Sequence, residues 1–324
     1  MNLLDRRTLL ALLTATLLPA AHAQAPAWPA KPLRIVAPFA PGGVTDIVAR
    51  SVAASMSQGL GQPVVVENKP GAQGLLGSAS VKGAPADGHT LLLMSSSVAC
   101  VNPYLRKTMP FEVLKDFQAV GMIGAAPLIM VVSPSLPVNR LDQFIAHVKA
   151  NPGKVSFSSP GVGGSAHLYG GFMNKSSQLD MQHLPYQGGV PALQAVLAGD
   201  MTMTFADLGS ATGQVAAGKL KALAVSGDKR WPRFPEVPTF AEAGYPLNLV
   251  GWVGLMVPAG TPRAAIERLN AELRRFAESP ANRDPLLTAG VMVASGTPED
   301  MTTAIRDGCP PWGDAVRSAG IQPE

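Results

Sequence analysis

The chain has 324 residues and a formal charge of +4, with 15% charged, 47% hydrophobic and 6% aromatic residues. That composition excludes general disorder, and without a run of five Lys or Arg it gives no basis for nucleic-acid binding. Its 33 glycines and 30 prolines are dispersed between apolar segments and it has only two cysteines, which excludes fibrous and disulfide-scaffold classes.

In chain order, Arg6 and Arg7 precede an apolar run over residues 9–18, followed by Ala21-His22-Ala23 as a small-x-small cleavage site. The run is shorter than the roughly 20 residues a membrane span needs, so residues 1–23 read as a cleaved signal peptide and the mature protein as periplasmic. Arg6-Arg7-Thr8-Leu9-Leu10 fits both general and twin-arginine export, and both routes stay open. A strand is predicted over 33–37, a loop over 38–44 and a helix from Thr45. In that helix Val48, Val52, Met56 and Leu60 recur at i+4 spacing, and Gly59 and Gly61 end it. A strand over 64–66, a Gly-rich loop over 68–74, a short helix to Lys82 and a strand over 90–94 follow. Strands apolar on both faces, alternating with helices, predict a parallel sheet covered by helices.

The same order restarts with a strand at 128–132, a helix at 141–150, a strand at 154–158, a Gly-rich loop at 160–164 and a helix from Ser165. Strands at 181–184, 201–205, 223–226 and 252–257 and a helix at 191–197 continue it. Thr261-Pro262 reads as an N-cap with proline in the first turn of a helix whose buried stripe is Ile266, Leu269, Leu273 and Phe276. Thr297-Pro298-Glu299-Asp300 opens another. The expectation is an α/β protein of two lobes around a cleft, residues 24–127 plus 252–324 forming one and 128–251 the other.

Two strand-to-helix loops carry the chemistry. Pro38-Phe39-Ala40-Pro41-Gly42-Gly43-Val44-Thr45-Asp46 and Ser159-Pro160-Gly161-Val162-Gly163-Gly164-Ser165-Ala166-His167 each deliver backbone N–H groups at the positive end of a helix, where an anion is held without Lys or Arg. Gly-rich turns serving geometry alone are the competing reading, and Asp46 could simply complement its helix dipole. Gly161-x-Gly163-x-x-Ala166 imitates a dinucleotide fingerprint, but Asp180 precedes its strand instead of ending it. Gly163-Gly164-Ser165-Ala166-His167 lacks the final glycine of a nucleophile elbow, and a serine and histidine two apart on a helix do not face each other. An exported hydrolase using Ser165 is therefore the weaker alternative. The histidines at 22, 89, 147, 167 and 183 have no metal-ligand spacing and read as surface or capping residues; no metal or cofactor is expected. The sequence leaves open whether Cys100 and Cys309 pair.

At this point the chain resembles the extracytoplasmic solute receptors of tripartite tricarboxylate transporters, the Bug or TctC family. The residues carrying the resemblance include Trp28-Pro29-x-Lys31-Pro32, Pro38-Phe39-x-Pro41-Gly42-Gly43-x-x-Asp46, Val66-Glu67-Asn68-Lys69-Pro70-Gly71-Ala72, Pro85-x-Asp87-Gly88-His89-Thr90, Asn151-Pro152-Gly153-Lys154, Pro185-Tyr186-x-Gly188-Gly189 and Pro235-Glu236-Val237-Pro238-Thr239. The resemblance implies a type II periplasmic binding protein fold and a monomer without enzymatic activity. Such a receptor captures a small organic carboxylate and passes it to the membrane subunits of a transporter. A sensor handing the same ligand to a signalling partner is the alternative. Carried residue by residue, the resemblance places a ligand at Phe39, Ala40, Gly43, Thr45, Ser95, Gly163 and Ser165, with Tyr186 and Asp207 lining the cleft. Asp207 stands where the family commonly has an amide, which would disfavour a second ligand carboxylate and favour an amine or hydroxyl. Gly164 replaces a usual hydroxyl residue, and Gly308-Cys309-Pro310-Pro311 is expected to interrupt the last helix.

Overall fold

The computed structural model describes residues 28–245, 247 and 249–324; the expected signal peptide lies outside the described residues. Two sheets organise the chain. The first contains β1 (Leu33–Ala37), β2 (Val64–Asn68), β3 (Thr90–Ser95), β4 (Phe117–Ala126), β10 (Gly251–Pro258) and β11 (Met292–Val293), in the order β11-β4-β10-β3-β1-β2. The second contains β5 (Leu128–Val132), β6 (Val155–Ser159), β7 (Met181–Pro185), β8 (Met203–Asp207) and β9 (Lys221–Val225), in the order β7-β6-β8-β5-β9. Helix α1 (Val44–Leu60) buries Val48, Val52, Met56 and Leu60, the stripe predicted from i+4 spacing, and ends at Gly61 with φ 66°, a left-handed conformation that glycine adopts without a Cβ penalty.

The sheets are not wholly parallel, which corrects the sequence expectation. β1 pairs with β2 and β3 in parallel, and β6 with β7 and β8, but β10 runs antiparallel to β3 and β4, and β5 antiparallel to β8 and β9. The reason is connectivity. β4 ends at Ala126 and β5 begins at Leu128, so the chain passes between sheets through Pro127 with no intervening helix to reverse it. It re-enters the first sheet at Gly251. These two crossings lie side by side: a Cβ on Gly251 would stand 3.0 Å from the Ala126 carbonyl oxygen.

The remaining helices of eight or more residues among those described are α2 (Leu75–Lys82), α3 (Leu141–Ala150), α4 (Ser165–Ser176), α5 (Gly189–Ala198), α6 (Leu208–Ala216), α7 (Arg263–Glu278), α8 (Pro280–Thr288), α9 (Pro298–Gly308) and α10 (Pro310–Ser318). Thr261 does not cap α7. Its Oγ1 donates to the Pro258 carbonyl at 2.8 Å, and Pro262 holds the N-cap position. Thr297 does cap α9, in a reciprocal box with Asp300. The break before Trp312 is slight, because Cys309 keeps helical dihedrals (φ −76°, ψ −37°) between α9 and α10. Cys309 forms a disulfide with Cys100 across a Cα–Cα distance of 4.5 Å.

Helix α10 packs on α4, a helix of the second sheet, and Trp312 stacks on Tyr169 with ring centroids 6.0 Å apart. The close approach requires Gly171, where a Cβ would lie 2.5 Å from the Ala319 Cα. The end of the chain returns to the first sheet's side: the Glu324 amide donates to the Leu105 carbonyl, and the Arg106 guanidinium pairs with the Glu324 side chain at 2.7 Å. The C-terminal segment thus touches both halves of the molecule.

Candidate ligand-binding site

A cavity of about 460 Å³ opens where the two crossings meet. Ala126, Pro127 and Leu128 from one crossing and Gly251, Trp252 and Val253 from the other form its floor. The first sheet adds Phe39, Val44 and Thr45 at the start of α1 and Ser95, Ser96 and Ser97 after β3. The second adds Pro160, Gly164, Ser165 and Tyr169 around the start of α4, Gly189 at the start of α5, and Thr204, Phe205 and Asp207 on β8.

The helix starts facing this cavity lack side-chain caps. The N-cap residues of α1, α4 and α5 are Gly43, Gly164 and Gly188, and none makes a side-chain capping bond. Away from the cavity, α9 has its complete capping box. The first N–H groups of an α-helix have no partner within the helix and carry the positive end of its dipole. Here they remain available to an anion, with the half-buried Thr45 and Ser165 hydroxyls beside them. Among the described residues lining the cavity, Asp207 and Tyr169 alone are ionisable and none is a cation. Tyr169 is fully buried and already donates to the Leu249 carbonyl, and burial holds its phenol above the ordinary range.

Asp46 shapes the first loop. Its carboxylate accepts from the Gly42 amide at 3.0 Å, Arg50 Nε at 3.0 Å and Asn68 Nδ2 at 2.9 Å, tying the glycine turn to α1 and β2. The Arg50 guanidinium, with the Gly42 and Asn68 donors, outweighs burial and lowers its pKa to about 2.

The second loop is moulded by two of the histidines read from sequence as surface or capping residues. His167 is 8% exposed; its Nδ1 accepts from the Gly163 amide at 3.1 Å, so that nitrogen is unprotonated. His183 stacks on it with centroids 3.7 Å apart and bonds Ser159 Oγ at 2.7 Å. Ser159 Oγ in turn donates to the Gly161 carbonyl at 2.9 Å. Burial, and then the His183 ring, lower the His167 pKa to about 4. A base whose folded pKa lies below its unfolded value stabilises the fold fully above about pH 6.5 and loses that contribution as pH falls toward 4. Over that window the melting temperature is expected to fall, by the equivalent of about 1–2 kcal/mol given the water that reaches the ring. His167→Asn should flatten the profile; an unchanged profile would show that this pair does not titrate with unfolding.

Of the residues singled out from sequence, Phe39, Thr45, Ser95, Ser165 and Asp207 line the cavity. Ala40 and Gly43 are exposed on the loop outside it. Gly163 faces away: it is buried, and a Cβ there would meet Leu105 at 2.8 Å. Tyr186 packs against the second sheet's apolar cluster, its amide bonded to the Ser159 carbonyl, and does not reach the cavity. Sequence reasoning missed Tyr169, Trp252, Ser96 and the Ala289–Gly290 turn. Trp252 read only as the start of a strand, Tyr169 carries no local signal, and nothing local marks a turn that meets α6 only in the folded chain.

The model of the tripartite tricarboxylate transporter family receptor matches residues 48–321. The chain belongs to that family. Among solved structures, the periplasmic binding protein BugD is 32% identical, with a TM-score of 0.75 over 92% of this chain and 100% of BugD. The R. palustris protein Rpa4515, solved with adipate, is 30% identical at a TM-score of 0.79 over 92% of this chain and 100% of its own. MatC from Rhodopseudomonas palustris, solved with bound malate, is 30% identical at a TM-score of 0.73 over 89% of this chain and 100% of its own. The two-sheet arrangement is the α/β two-lobe fold of the periplasmic binding protein BugD, and the family is one of solute-binding proteins. No described helix is long and apolar enough to cross a membrane.

Proposed function

We propose that the protein is a periplasmic receptor that captures one small organic carboxylate in the crossing cavity. It then delivers that ligand, chemically unchanged, to the membrane subunits of a tripartite tricarboxylate-type transporter. The observation that carries this reading is the convergence of uncapped helix starts and hydroxyls on a cavity with no cationic side chain among its described lining residues. Backbone dipoles and neutral donors then supply the anion's hydrogen bonds. The volume suits a small ligand. The adipate and malate held by the two R. palustris proteins are small carboxylates. Closure would occur at the crossings Ala126–Leu128 and Gly251–Val253, with residues 24–127 plus 252–324 and residues 128–251 moving as two lobes and the ligand favouring the closed state by its contacts to both. The histidines speak against Ser165 as a nucleophile: His167 Nδ1 is engaged by Gly163 and His183 Nε2 by Ser159.

Ser165→Ala removes one hydroxyl bond to a charged ligand, so affinity should fall about tenfold or more. The ligand-free melting temperature should stay within about 1 °C, because no hydrogen bond from Ser165 Oγ to protein is present among the described residues. Calorimetric titration and a thermal melt of the same preparation check both parts; unchanged affinity would remove Ser165 from the site.

A further inference from the structure

The cavity contains one carboxylate that the fold does not use. Asp207 ends β8 and occupies the N-cap position of α6, yet its side chain makes no capping bond; Ser210 Oγ bonds its backbone carbonyl instead. Among the described residues no salt bridge or side-chain hydrogen bond engages its carboxylate. One side of that carboxylate faces the open cavity, and the start of α5 stands close by: a Cβ on Gly189 would lie 3.3 Å from Asp207 Oδ2. Asp207 is exposed toward the cavity, and desolvation by the protein around it pushes its carboxyl above the ordinary carboxylate range. Among the described residues no cation lines the cavity to supply a partner, which leaves the carboxylate free to pair with a bound ligand.

We propose that the ligand is an amine-bearing carboxylate, its carboxylate held at the starts of α1 and α4 and its ammonium seated on Asp207. This rests on the carboxylate-receptor reading and narrows it. A zwitterion offers its carboxylate to the neutral donors and its ammonium to the one carboxylate of the described lining, so each ionic group is matched. A plain dicarboxylate would put its second carboxylate beside Asp207, where like charges repel. A hydroxyl in place of the ammonium would accept the geometry and forfeit the charge pairing.

The test is calorimetric titration of the purified protein with matched acids: L-aspartate against succinate and L-malate, L-glutamate against glutarate, and L-2-aminoadipate against adipate. In at least one set the amino acid should bind about 10–100-fold tighter than its amine-free counterparts. Asp207→Asn should remove that preference and improve binding of the plain dicarboxylate. Asn is nearly isosteric, and the ligand-free melt shows whether the variant is folded; Asp207→Ser is the substitute if it is not. Binding of plain or hydroxy acids as tightly as the amino acids in every set, or a preference unaltered by either substitution, overturns this inference and leaves the receptor reading standing. Binding by none of these acids overturns both.

Discussion

Replacing either cysteine, or reducing the Cys100–Cys309 bridge, is expected to lower the unfolding free energy by about 3–5 kcal/mol. The bridge spans 209 residues of sequence, and closing so long a loop removes much of the unfolded chain's conformational freedom. The location adds a functional consequence. Cys100 lies in the turn Ser97–Val101, which continues directly from cavity residues Ser95 and Ser96. Cys309 joins α9 to α10, and α10 packs on α4, whose first residue is Ser165. The bridge therefore links two opposing walls of the cavity through the C-terminal helix, and its loss should weaken ligand binding as well as the fold. Urea unfolding of the oxidised protein against Cys309→Ser, with ligand titration of each, checks both effects. A stability difference below about 1 kcal/mol would mean that packing of Trp312 and Tyr169 alone holds that helix in place.

Asp46→Ala should cost about 3 kcal/mol and weaken binding about tenfold. The substitution removes the buried carboxylate that the Gly42 amide, Asn68 Nδ2 and Arg50 share, and hydrogen bonds to a charged group contribute about 1.5–3 kcal/mol. The glycine turn before α1 then loses the tether that aims its N–H groups at the cavity. The charge carries its own pH signature. With a folded pKa near 2 against an ordinary value of 3.8, the stabilisation is complete above about pH 4 and is lost as pH falls through 2. This lies on the acid side of the His167 window, so the two groups separate in a melting profile between pH 2 and 7. An Asp46→Ala protein as stable as the parent at pH 7 would contradict this role.

The elements most legible in the sequence were those whose local pattern and tertiary setting agree. The stripe of α1, the strand at β5 and the helix start at Ser165 stand where period and turn residues placed them. β4 was not read, because Gly121 and Gly124 dilute its apolar pattern, and strand glycines ordinarily weaken a strand. Both serve close approach: a Cβ on Gly121 would meet Asn270 Nδ2 at 2.7 Å, and one on Gly124 the Met292 carbonyl oxygen at 2.5 Å, where β11 pairs. Strand direction was illegible for another reason, since it depends on Pro127 carrying the chain straight into the second sheet. At the site the two glycine loops were plain, but the direction in which each residue faces was not. Gly163, in the second of those loops, and Tyr186, in the turn after β7, pack against protein and not into the cavity, while Tyr169 reaches it from the second turn of α4. The histidine pair behind the second loop needed β6, β7 and α4 assembled before it could be seen.

The measurement that tests the account most directly is calorimetric titration of the folded protein with four- to six-carbon carboxylates and their amino derivatives, followed by NMR of the recovered ligand. The account predicts saturable binding of at least one of them at one site per chain, weakened by Ser165→Ala, with the ligand recovered unchanged. Absence of binding by a well-folded sample, or recovery of a chemically altered ligand, would contradict it.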